Sequence, residues 1–175
     1  MFNTVQRDET KKVGNRTIVN LNGTWTIGES MEADAMATAF DHTAPVPGML
    51  TAAQPPFEAI GDFDTSFHEY AKVNWKMCTG GVYKEEQDAE VMAQRIGISR
   101  QPRNYFWCKR TFVAPNKQEY ADLHVLKARF TSKVWLNGQV VGENINSFIE
   151  ASYDVSDVIR WGEENEIVIR IGAHP

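Results

Sequence analysis

Paired carboxyl groups come first, because one can donate a proton while its neighbour attacks or activates water. Glu85-Glu86, Asp62 with Asp64, and Glu163-Glu164 are the close acidic groupings. All lie in polar stretches, without apolar flanks to bury and tune an acid, so no catalytic residue is expected in this chain. Flat aromatic rings offer different chemistry, since the C–H-rich face of a sugar packs on them. Of the five tryptophans, Trp25, Trp107 and Trp135 sit in strand-like segments, where large apolar volume serves a core. Trp75 and Trp161 lie in less regular segments and are the better candidates for exposure. His42, His68, His124 and His174 show no metal-ligand spacing, and Cys78 and Cys108 match no metal or redox motif. Two free thiols are expected, with no metal and no cofactor. No phosphate-binding glycine loop or nucleophile elbow is present, and Asn15-Arg16-Thr17 and Asn22-Gly23-Thr24 are glycosylation sequons only formally.

The chain that must position these groups has 175 residues, the size of one domain. Its 42% hydrophobic and 23% charged residues suit a globular protein with a sizeable core. A formal net charge of −5 argues against a general nucleic-acid or anionic-membrane binder, which needs a basic face. No stretch approaches the roughly 20 apolar residues that span a bilayer. Met1 to Lys12 carries no apolar signal core, although removal of a signal would leave the same sequence, so the compartment stays open.

Local patterns predict mostly strands. Ile18-Val19, Leu21, Trp25 and Ile27 read as β, interrupted at Asn22-Gly23. Residues 28–44 admit two readings: a short helix through 32–36 capped by Ser30, or a loop leading into a strand near 38–43. Pro45, Pro47 and Gly48 then break the chain. Residues 51–104, with Pro55-Pro56 and scattered aromatics, read as a long excursion. Within it Lys84 to Ile96 is the best helix, with acidic residues in its early turns and Gly97 following. From Tyr105 the β signal is strong. Strands are expected at Tyr105 to Val113 and Leu123 to Phe130, then a hairpin whose Asn137-Gly138 tip readily takes positive φ. Ile167, Ile169 and Ile171 alternate with Val168 and Arg170, the pattern of a half-buried strand. Asp154 is suited to cap the turn toward Ile159, and Asn165 to hold a left-handed position. Such short strands favour a sandwich or jelly roll.

The order of these patterns carries a resemblance. Leu21-Asn22-Gly23-Thr24-Trp25, Val46-Pro47-Gly48, the aromatic-then-basic strand Tyr105 to Phe112, and Val134 to Gly142 with its Asn-Gly tip follow one another. Tyr153-Asp154-Val155-Ser156 and Gly162-Glu163-Glu164-Asn165 complete the series. Together they resemble the sugar-binding domain that opens family 2 glycoside hydrolases, the β-galactosidase and β-glucuronidase group. The likeness covers about 20–50 and 105–172; residues 51–104 read as a subgroup insertion.

The resemblance implies an all-β, jelly-roll β-sandwich of galactose-binding-like type, with an inserted, partly helical excursion around residues 51–104. It implies that residues 1–175 form one non-catalytic domain of a longer glycosidase acting on O-glycosyl bonds. The carbohydrate would then be met through a downstream catalytic barrel, whose two carboxyl groups stand about 5 to 5.5 Å apart in retaining enzymes. One further sandwich strand is expected after Pro175. In β-galactosidases an acidic residue after the hairpin reaches the barrel's active site. That position falls on Asn146, within Glu143 to Ser147, and its amide can still bond a sugar hydroxyl. Asn144, Asn146 and Trp161 are therefore the expected carbohydrate-binding residues. A free-standing carbohydrate-binding module is the alternative. The sugar, the linkage and the oligomeric state stay open.

Overall fold

A computed structural model describes residues 9–58, 63–64, 98–99, 105–129 and 131–172. The predicted helix at Lys84 to Ile96, together with Trp75, Cys78, His68, His174 and the Glu85-Glu86 pair, lies outside them. Two compact units are present, Glu58–Pro102 and the remainder of the chain. Within the first, β5 (Phe63–Asp64) pairs antiparallel with β6 (Ile98–Ser99).

In the larger unit, β1 (Glu9–Val13) and β2 (Arg16–Asn20) form a hairpin. Next come β3 (Gly23–Ser30) and β4 (His42–Val46), followed by β7 (Tyr105–Val113) and β8 (Asp122–Val125). The chain continues through β9 (Ser132–Leu136), β10 (Gln139–Asn144), β11 (Ala151–Asp154) and β12 (Glu164–Gly172). Six strands make one antiparallel sheet in the order β10-β9-β12-β7-β3-β4, and β11 pairs with β8 separately. The architecture is the galactose-binding-like β-sandwich expected from the sequence.

Register explains the core. Ile27, Cys108, Ile169 and Val134 align across four strands, and Arg110, Ile167 and Leu136 form the next row. Period-2 alternation therefore places Ile167, Ile169 and Ile171 on one face; Ile167 is fully buried, which stabilises the fold by about 1.5–3 kcal/mol, and Ile169 and Ile171 are half-buried. β11 covers this face: the Tyr153 ring lies where a Cβ on Gly142 would stand, 2.2 Å from its Cδ1. Arg110, itself buried, donates from Nη1 to the carbonyls of Leu21 and Asn22, both at 3.0 Å, and so ties down the turn before β3.

Several expectations need correction. β12 is not half-buried, because Val168 and Arg170 on its other face are buried too. A strap, residues 31–41 between β3 and β4, covers them. Ala37 sits against Trp107 and Val168, with Phe40 and Trp135 beside it. The strap forms bends rather than the short helix, and its strand starts at His42. β8 stops at Val125, short of Phe130, and Leu126 turns into solvent. Asn165 does not hold a left-handed backbone position; Asn137 at φ 51° and Gly162 at φ 74° do.

Candidate functional site

β9 and β10 carry the candidate loop. Asn137 and Gly138, both at positive φ, turn the hairpin at one end of the sheet. At the other end Asn144 pairs with Ser132, and the chain leaves β10 into residues 145–150. Asn144 is spent on holding this loop. Its Oδ1 accepts from the Asn146 N–H at 3.0 Å, and its Nδ2 donates to Ile149 O at 3.4 Å. Two further ties fix the far side. Phe148, at φ 62°, donates its N–H to Ala128 O at 2.8 Å, and Glu150 Oε1 lies 2.8 Å from His124 Nδ1. An Asx turn with two anchors thus presents Asn146, which is exposed and whose side-chain amide makes no hydrogen bond among the described residues.

Apolar groups flank that amide: Ile145 is 75% exposed, Phe148 62% and Ile149 57%. Chemically the loop offers one free donor–acceptor amide two residues from an exposed ring, a combination that binds hydroxyls and C–H faces. Phe148 was missed in the sequence. Its signal was an aromatic two residues beyond Asn146, outside any strand where core packing would claim it.

Trp161 lies at the opposite pole. Gly162 N–H donates to Pro115 O at 3.0 Å, and β12 begins at Glu164, whereas Asn144 lies across from Ser132 and Ile171 at the far end of that strand. At about 3.3 Å per residue the poles are on the order of 20 Å apart. The structure brings Asn144 and Asn146 together and keeps half-buried Trp161 apart from them. Trp25 and Trp107 are core residues as expected, and Trp135 rests against Trp107 with ring centroids 5.2 Å apart.

Ionisable groups near these poles have structural explanations. Asp154 Oδ1 accepts from both Ser156 N–H, at 2.9 Å, and Ser156 Oγ, at 2.6 Å, which holds its carboxyl below the ordinary value. The expected cap is thereby confirmed. Burial raises the Tyr153 phenol; Ser132 opposes the shift, although neither buried hydroxyl completes a well-formed hydrogen bond among the described residues. Burial also pushes the free Cys108 thiol up to about 12. Among the described residues, no three His, Cys, Asp or Glu side chains gather as a metal site would require. A cleft of about 300 Å³, lined by Lys12, Gly14, Asn15, Arg16, Thr17 and Gln118, shares no residue with either pole. No helix among the described residues is long and apolar enough to cross a membrane.

Sandwich topology, the Asn-Gly hairpin and the loop it projects define a galactose-binding-like domain. Residues 82–175 match the glycosyl hydrolase 2 galactose-binding domain-like family, and the chain belongs to that family. Among solved structures it is similar to the β-glucuronidase of Ruminococcus gnavus, at 17% identity and a TM-score of 0.53, over 87% of this chain and 20% of that one. The same enzyme in complex with a C6-substituted uronic isofagomine gives 16% identity and a TM-score of 0.52, over 87% and 21% of the two chains. These likenesses concern the fold. The chain spans about a fifth of the length of the solved relatives it matches. No curated protein matches the sequence.

Proposed function

We propose that this chain is a non-catalytic N-terminal domain of a multidomain glycoside hydrolase acting on O-glycosyl bonds, and that residues 1–175 form its single sandwich with the excursion at 51–104. In this role its loop borders a carbohydrate pocket whose acid and nucleophile come from a separate barrel. The observation carrying the reading is the presentation of Asn146 by an anchored loop in a domain of this family. Asn144 shapes the loop, Asn146 contacts the sugar, and Trp161 forms a separate aromatic contact at the other pole. The neighbouring structures are carbohydrate-processing enzymes, in keeping with a carbohydrate partner.

Chromogenic glycosides assayed with the chain alone and with the polypeptide that carries it test this reading. The chain alone is expected to be inactive and the longer polypeptide active. Turnover by the chain alone, lost in Glu163→Gln or Glu164→Gln, would overturn it. The second reading, a free-standing carbohydrate-binding module, is favoured by one observation: the Phe148 ring stands exposed in the same loop as Asn146. Saturable sugar binding by the chain alone, lost in Phe148→Ala, would select it.

A further inference from the structure

Arg170 is a buried cation, 4% exposed, on the strap side of the sheet. A guanidinium there must find acceptors, because an unpaired buried charge is strongly destabilising. Nη1 donates to Ala33 O at 2.6 Å, and Nη2 donates to Glu143 Oε1 at 3.1 Å. Asp34 Oδ1 lies 3.9 Å from Nη1, and Cζ sits 5.1 Å from the Tyr105 ring centroid. Nε is buried without a hydrogen-bond partner among the described residues. The fork therefore spans two segments far apart in sequence. Ala33 and Asp34 belong to the strap, while Glu143 directly precedes Asn144 at the root of the candidate loop.

The strap's other ties run mainly through side chains. No backbone–backbone hydrogen bond joins residues 32–41 to the rest of the unit among the described residues. Ala37 is its one buried side chain, Phe40 is half-buried under the Lys109 ammonium, and Lys133 Nζ lies 3.6 Å from Asp34 Oδ1. At its root, Ser30 Oγ accepts from Trp107 Nε1 at 2.8 Å and donates to Glu32 O at 2.9 Å. The Arg170 guanidinium adds a charge-assisted hydrogen bond to these ties at Ala33.

We infer that Arg170 is a clasp coupling the strap at 31–41 to the loop at 144–149, so that freeing either one loosens the other. Planar geometry is essential to it: guanidinium reaches Ala33 and Glu143 at once, whereas a lysine ammonium at this position could serve only one. Coupling of this kind is reciprocal, since one shared group sets the free energy of both segments. The inference goes beyond the sugar-bordering role, and its test requires no sugar.

Backbone 15N order parameters on the whole chain test it. In Glu143→Ala, order parameters within 31–41 and at 144–149 are expected to fall together, from rigid values of about 0.85 toward about 0.6. Those in β7 and β12 should stay unchanged, which separates release from global destabilisation. In Ala37→Gly, which loosens the strap from its own side, order parameters at 144–149 are expected to fall as well. Arg170→Lys should release both segments; if it fails to fold, the other two variants still decide. A fall at 144–149 alone in Glu143→Ala, or an unmoved 144–149 loop in Ala37→Gly, would overturn the clasp.

Discussion

Asn137 and Asn165 meet side chain to side chain across the hairpin end of the sheet, Asn137 Nδ2 donating to Asn165 Oδ1 at 2.8 Å. Each amide then works in several directions. Asn137 Nδ2 also donates to Val158 O at 2.9 Å, and its Oδ1 accepts from the Glu166 N–H at 3.1 Å. Asn165 Oδ1 accepts from the Arg160 N–H at 2.8 Å, while its Nδ2 donates to the carbonyls of Arg160 and Glu163, both at 2.9 Å. One buried amide thereby satisfies the backbone of the turn before β12.

Asn165→Ala should leave that turn with unpaired buried groups. A loss of about 2–4 kcal/mol in urea unfolding is expected, with an unchanged m-value. Asn165→Asp retains the acceptor but not the donor, and is expected to cost a comparable amount.

Gly28 shows the same dependence on a single atom. A Cβ there would stand 2.3 Å from Ala39 O and 2.6 Å from Ala37 Cβ, both in the strap. Gly28→Ala is expected to lose about 1–3 kcal/mol, and the melting temperature will register it. A neutral result would mean that the strap rests farther from β3.

Cys108 should be inert in the folded chain. Its thiol is pushed up to about 12, above the unfolded value of about 8.5. A raised folded value contributes stability fully below the unfolded pKa and loses it as pH rises from there toward 12. A thiol reagent at pH 8 should modify Cys108 only after denaturant is added, with adducts located by peptide mass.

Asp154 carries the opposite sign. Its folded carboxyl is lowered by Ser156, so its contribution is present above the unfolded value and is lost as pH falls through the folded one. A carboxyl-resolved NMR titration should place its midpoint below about 3.9, rising in Ser156→Ala. An unshifted midpoint in both proteins would remove the cap.

The fold was largely legible in the sequence because period-2 alternation and turn residues are local signals. Tyr105 to Val113 and the Asn137-Gly138 hairpin stand where those signals put them. The strap was not legible. Its docking depends on Gly28 lacking a side chain and on Arg170 reaching Ala33 across 137 positions, neither of which alters the local pattern. Asn165 was misread for a related reason: its side chain, rather than its backbone angle, makes the turn. At the candidate site, counting from the hairpin pointed to Asn146, whereas Asn144's use in the loop's own Asx turn and the exposure of Phe148 required coordinates.

The central claim is that the loop after β10 brings Asn146 to a sugar bound in a neighbouring catalytic domain. The most direct measurement is kcat/KM for a chromogenic glycoside, using the full polypeptide that carries this domain, as wild type and as Asn146→Ala. A loss of about tenfold to a hundredfold with an unchanged melting temperature is expected, the effect of removing one hydrogen bond to a hydroxyl in a water-excluded pocket. An unchanged kcat/KM in a normally folded Asn146→Ala enzyme would contradict it.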